Sequence, residues 1–233
     1  GSGSQVLGGK LMKKFSLTQE DRDNIKEATA RAEKNTSGEI VTAIVKESSD
    51  YAFYELLAAL TGGFISFLTA LYFYDSISAW LGGLFWEYSP VYSASFTGIL
   101  VIAVSGLLYI LANIPGVDNI IVPGKIIGKS VKQRAIGHFV EAGLANTRDR
   151  TGILIFISYQ EKRIELLADT GINELIPKEK WESIVNKLAL AIKRSKTGEG
   201  IVNAIAECGE LLSKHFHVKS DDTNELPDDL TIL

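Results

Sequence analysis

Two long stretches without a charged residue, Leu56 to Tyr74 and Tyr88 to Val117, constrain this chain more than anything else in it. The first has 19 residues, and an α-helix of about 20 apolar residues covers the roughly 30 Å hydrocarbon layer of a bilayer. The second has an apolar centre, Phe96 to Ala112, that is also long enough to span. A helix lying on a soluble core normally keeps a polar stripe toward water, and neither run has one. Both therefore read as transmembrane helices. The competing reading, two core helices, requires them to be buried on every side.

The spacer between the runs, DSISAWLGGLFWEYSPVYS, carries Trp80, Trp86, Tyr88 and Tyr92 and no Lys or Arg. Such composition suits a turn at the membrane-water boundary on the non-cytoplasmic side. Lys46 precedes the first run, and Lys125, Lys129, Lys132 and Arg134 follow the second. This bias puts both ends of the chain in the cytoplasm. In the first run Ala58, Gly62, Ser66 and Ala70 recur every four residues as a small-residue stripe. Such a stripe lets another helix approach closely, either the second run or another copy of the chain in a homo-oligomer. No charge lies inside either run, so a channel built from this chain alone is not expected.

The 233 residues leave room for one soluble domain of about 150 residues beside the hairpin. A net charge of -4 leaves no basic footprint for nucleic acid. The single cysteine, Cys208, has no internal disulfide partner and falls on an apolar helical stripe, where a small buried hydrophobe is the ordinary role. Residues 1–11 (GSGSQVLGGKL) have the composition of an expression linker, and Met12 is the only methionine. The native start is expected there. No cleavable signal follows, so the first span would itself direct insertion.

Ser16 or Thr18 can cap a helix that runs to about Asn35, with Asp21 completing a capping box. EIVTAIV at 39–45 is β-branched and almost continuously apolar, the pattern of a strand covered on both faces. Residues 125 to about 146 place Ile127, Val131, Ala135 and Phe139 at helical spacing. GILIFIS at 152–158 reads as a second strand, parallel to the first, and a turn at 159–162 leads to an antiparallel third at 163–169. Pro177 opens a helix with Trp181, Ile184, Val185, Leu188 and Ile192 on one face, and a last helix carries Ile201, Ile205, Cys208 and Leu212. The closing residues 217–233 contain five acids and few apolar groups, so an acidic flexible tail is expected.

Three segments, SGEIVTAIV at 37–45, RTGILIFISYQEKRIELLADTGINELIP at 150–177 and KTGEGIVNAIAECGELLSKHF at 196–216, resemble in order and content the TPM domain family. The DDTNELPD of the tail is similar to the end of bacterial membrane-bound members. The resemblance implies an α/β fold: a three-layer α/β/α sandwich with a small mixed sheet, here interrupted by a two-helix transmembrane hairpin. The soluble domain would combine residues 12–50 and 118–216, with the hairpin at 51–117. Some relatives have phosphatase activity or bind calcium, and others are accessory subunits of membrane assemblies. The resemblance thus implies either a non-enzymatic adaptor for other membrane proteins or a metal-dependent phosphatase, at the bacterial inner membrane.

The strand order brings Glu39 and Asp149 to the starting ends of the two parallel strands, returns Asp169 to the same edge and leaves Glu174 in the next loop. Four carboxylates there could hold a hard cation such as calcium or magnesium. Otherwise they are solvated acids with Arg148 and Arg150 as ion-pair partners. Thr170 and Ser37 are the nearest hydroxyls and form no recognised catalytic constellation. The three histidines, His138, His215 and His217, make no metal-spaced set, and Thr197 to Gly200 lacks the strand and Lys-Ser/Thr pair of a phosphate loop.

Overall fold

The computed structural model describes residues 2–6, 17–85, 89–218 and 226–232, with side chains from residue 17 onward. The chain divides into two compact units, one from residues 1–49 and 125–233 and the other from 50–124. Met12, Ser16, Trp86, Tyr88, Asp221, Asp222 and Glu225, which entered the sequence reading, lie outside the described residues.

The first unit is built on a mixed sheet in the order β1-β4-β3-β2-β5. Its strands are β1 (Ser2–Val6), β2 (Glu39–Val45), β3 (Gly152–Ser158), β4 (Arg163–Ala168) and β5 (Thr231–Ile232). β2 and β3 run parallel with Glu39 opposite Gly152 and Val45 opposite Ser158, and β4 returns antiparallel with Ile153 opposite Ala168. Both parallel strands are buried along their whole length, which is why their sequences do not alternate.

Alternate side chains separate the two faces of the sheet. Ile40, Ile44, Ile153, Ile155, Ile157, Ile164 and Leu166 join one core with three helices: α1 (Gln19–Glu33), α8 (Lys178–Lys193) and α9 (Thr197–Ser213). Thr18 opens α1: its hydroxyl accepts from the Asp21 N–H at 3.1 Å, and Asp21 Oδ2 accepts from the Thr18 N–H at 2.9 Å. The opposite face of the sheet carries α6 (Gly124–Glu141), which buries Ile127, Val131, Ala135 and His138. His138 faces Phe156 of β3 with 6.4 Å between ring centres, and Gly128 lies against the Arg163 guanidinium. The result is the expected three-layer α/β/α arrangement. The helix expected to reach Asn146 ends at Glu141, and a 3-10 turn at Leu144–Asn146 follows Gly143, whose φ of 83° suits a residue without Cβ.

Both sheet edges differ from expectation. Ser2–Val6, inside the stretch of linker composition, pair antiparallel with β4. Backbone hydrogen bonding at an open strand edge needs no particular side chain, so local composition could not show it. The acidic tail expected to stay free returns instead: Thr231 and Ile232 pair parallel with Ala43 and Ile44, and Lys26 holds Asp229 at 2.9 Å.

The second unit contains α2 (Ala52–Tyr72), α3 (Tyr74–Leu84), α4 (Pro90–Ala112) and α5 (Asp118–Ile121). α2 and α4, of 21 and 23 residues, are long and apolar enough to cross a membrane. Their large side chains point outward, Phe64 at 61%, Ile99 at 68% and Ile102 at 75% exposure. A water-soluble monomer rarely exposes so large an apolar surface. The two helices pack on each other through small residues: a Cβ at Gly62 would meet Leu108, and one at Gly63 would meet the Ser105 hydroxyl. Ala70 of the same stripe is buried, and Ala58 and Ser66 are half-buried. The spacer, read from its aromatics and its lack of Lys and Arg as a turn, contains the helix α3.

Candidate functional site

The starting end of the parallel strands gathers the carboxylates singled out above. Glu39 opens β2, is buried at 7% exposure, and its N–H donates to the Thr151 carbonyl at 3.2 Å. Thr151 in turn donates its hydroxyl to the Ser37 carbonyl at 2.9 Å, tying the approach to β2 to the loop before β3. Asp149 lies half-buried in that loop. Arg150, next to it, has a φ of 56°. Asp169 follows β4, and its N–H donates to the Gly152 carbonyl at 2.9 Å, so β4 ends beside the start of β3. A Cβ at Gly171 would meet the carbonyl oxygens of Arg150 and Asp149 at 2.9 and 3.0 Å, and only a glycine permits this contact between the two loops. The structure therefore places Glu39, Asp149 and Asp169 at one end of the sheet. Glu174, the last residue of the following turn, is exposed.

The side chains at this end have local work. Asp169 Oδ1 caps α7 (Thr170–Asn173), accepting the Thr170 N–H at 2.6 Å and its hydroxyl at 3.2 Å, while Oδ2 stands 4.0 Å from the Arg150 guanidinium. Among the described residues, no three His, Cys, Asp or Glu side chains are arranged to hold a metal ion.

Two further acids at the start of β2 escaped the sequence reading. Glu33, at the end of α1, accepts the Ile40 N–H at 2.9 Å. Burial pushes its carboxyl up to about 8, helped by the nearby charges of Glu39 and Asp228, while the Ile40 hydrogen bond pulls the other way. Asp228 arrives on the returning tail. Glu33 ends a polar-looking helix and Asp228 lies in a segment without periodicity, so neither carried a local signal.

The finishing end of the sheet has its own buried acid. Glu161 is 3% exposed; its Oε1 accepts the Ser48 N–H at 2.6 Å and its Oε2 accepts the Ser158 hydroxyl. Ser48 donates its own hydroxyl to Ser158 at 2.9 Å. This network holds the segment that leaves β2 against the β3-β4 turn. His138 is buried with neither ring nitrogen hydrogen-bonded, and burial lowers its pKa, with Glu141 at 3.7 Å only partly compensating. Cys208 is fully buried, and burial raises its thiol pKa, which makes it an inert core residue.

Residues 116–211, from just beyond α4 into the last turn of α9, match the family model of the TPM domain. Over this stretch the chain is similar to the TPM domain family. Among solved structures, the NMR structure of BA42 from the psychrophilic bacterium Bizionia argentinensis is similar, with a TM-score of 0.55 and 22% identity over 95% of this chain and 98% of that one. This likeness concerns the fold. No curated protein matches the chain. The matched stretch contains β3, β4, α6, α8 and nearly all of α9 but not β2, so it shares its sheet with a strand that precedes the apolar helices.

Proposed function

We propose that this protein is a membrane-anchored TPM-domain protein serving as a non-enzymatic adaptor or accessory subunit of a membrane complex. The observation that carries this reading is the insertion of two long, outwardly apolar helices, α2 and α4, between β2 and α6 of the α/β unit. An anchor at this position fixes the domain by its interior connections instead of by a flexible end. A bacterial inner-membrane location, with the α/β unit and both termini in the cytoplasm, draws support from the lysines after the second span and the lack of Lys and Arg in the spacer. The adaptor role draws support from Asp169, whose carboxylate is engaged as a helix cap.

The second reading is a membrane-tethered phosphatase that binds calcium or magnesium through Glu39, Asp149, Asp169 and Glu174. The meeting of the Asp149 and Asp169 loops through Gly171 favours it. Full-length protein in detergent should be assayed on a generic phosphomonoester with chelator, calcium or magnesium, beside Asp149→Asn and Asp169→Ala. The adaptor reading expects no metal-dependent turnover. Turnover that needs the metal and disappears in both variants overturns it.

A further inference from the structure

α6 follows the second apolar helix closely: α4 ends at Ala112 and α6 begins at Gly124. Its buried side, Ile127, Val131, Ala135 and His138, faces the sheet. On the outer side, Lys125, Lys129, Lys132, Ile136 and Val140 fall within one narrow strip at helical spacing, and all five are exposed. The three lysines have no ion pair among the described residues, and the acid of the helix, Glu141, sits at its far end with Arg134 and His138. Ile136 and Val140 leave 47% and 57% of their surface open.

The position of this strip within the α/β unit adds to its meaning. Gly128 packs against Arg163, which pairs with Ser158, which pairs with Val45, so the first turns of α6 cover the end of the sheet where β2 finishes. The chain thus leaves for the apolar helices and returns from them at the same end, and the lysines lie there. Glu47 and Asp50 are the exposed acids of the departing segment, off the helical strip.

We propose that this face of α6 is a second membrane contact, with Lys125, Lys129 and Lys132 on anionic phospholipid headgroups and Ile136 and Val140 at the acyl boundary. A helix with lysines and apolar residues on its open side lies in a bilayer surface, and anionic lipid attracts each lysine by about fivefold in partitioning. Three lysines amount to about a hundredfold, and the spans already hold them beside the bilayer. The proposal rests on the membrane-anchored reading above, and it makes the pose of the α/β unit depend on lipid charge.

The test uses the full chain with Ile136→Cys, reconstituted in phosphatidylcholine vesicles with or without phosphatidylglycerol, and reads the rate of reaction with a water-soluble maleimide. Buried Cys208 stays silent, and Glu182→Cys on α8 is the exposed control. Labelling of Ile136→Cys is expected to slow about tenfold or more with the anionic lipid, given the lysine contributions above, while the control is unchanged. Lys125→Gln, Lys129→Gln and Lys132→Gln together, or high salt, should restore the fast rate. Equal labelling in both vesicles overturns the proposal, and slow labelling in both assigns the face to a protein contact and overturns it as well. Alkaline extraction of the same vesicles separates the two readings: protein released from both kinds sinks the anchor itself, whereas retained protein with equal labelling sinks only the lipid contact.

Discussion

Glu33 and His138 respond to pH in opposite directions because burial acts on opposite charge types. The Glu33 carboxyl is raised from 4.5 to about 8, so the folded chain binds a proton that the unfolded chain has lost. Its stabilising contribution is complete below about pH 4.5 and disappears as pH rises through 8. Glu33→Gln keeps the acceptor for the Ile40 N–H and removes the titration. The variant should therefore unfold at a higher temperature than the wild type at pH 9 and show a flatter profile between pH 5 and 8, measured by circular dichroism in detergent. A wild-type midpoint that stays level across that window would contradict the buried, protonated Glu33. His138 is the reverse case: its pKa is lowered from 6.5, so the folded state resists protonation. Stability is complete above 6.5 and falls as acid pushes a proton onto the ring. His138→Leu should remove this acid-side loss at little cost near neutral pH, since neither ring nitrogen has a hydrogen bond to forfeit.

At the scale of elements, α9 is fitted closely against its neighbouring helices. A Cβ at Gly200 would come 2.6 Å from the Ala191 Cβ, and one at Gly209 would come 2.7 Å from the Ala32 Cβ. Replacing a helical glycine by alanine normally gains about 1 kcal/mol, whereas overpacking of a closed contact costs about 1–3 kcal/mol. Because the obstructing atoms are Cβ groups of neighbouring helices and cannot rotate away, overpacking should win. Gly209→Ala and Gly200→Ala are expected to lower stability by about 1–2 kcal/mol, read from denaturant midpoints. Unchanged midpoints would mean that α9 can slide outward. The segment after β2 depends on Glu161 in a similar way. Glu161→Ala strands the Ser48 N–H and the Ser158 hydroxyl, with an expected loss of about 2–3 kcal/mol and faster proteolysis at 46–50.

These elements also mark what can be read before folding. β2, β3, α8 and α9 follow from runs of apolar residues whose period is local, as in Trp181, Ile184, Val185 and Leu188. Glu39, Asp149 and Asp169 could be assigned to one edge because strand direction alone carries their ends together. α3 was hidden because the aromatics and the lack of Lys and Arg outweighed its helical spacing, and β1 and β5 arise from backbone pairing at edges that only the folded sheet provides. Glu33 and Asp228 meet only after the tail has returned to the edge of the sheet beside β2, a tertiary event with no signature in either segment.

For the molecule as a whole, the order of the chain poses a folding question: β2 must pair with β3 although the apolar helices and α6 lie between them. Closing a loop costs free energy that grows only with the logarithm of its length, so an insertion of this size is tolerated if its ends leave from neighbouring points. They do, since β2 finishes beside Ser158 and the first turns of α6 cover Arg163 at that same end. Each unit is also compact by itself. Replacing residues 50–124 by a short Gly-Ser linker should therefore give a water-soluble α/β unit, with the far-ultraviolet spectrum of the sheet and its helices. It should keep the alkaline instability of Glu33, because Ile40, Glu39 and Asp228 all belong to that unit. An insoluble or unfolded product would show that β2 reaches its place only when the apolar helices guide it there. A soluble product lacking the Glu33 response would show a sheet assembled without β2, and with it the loss of the carboxylate edge.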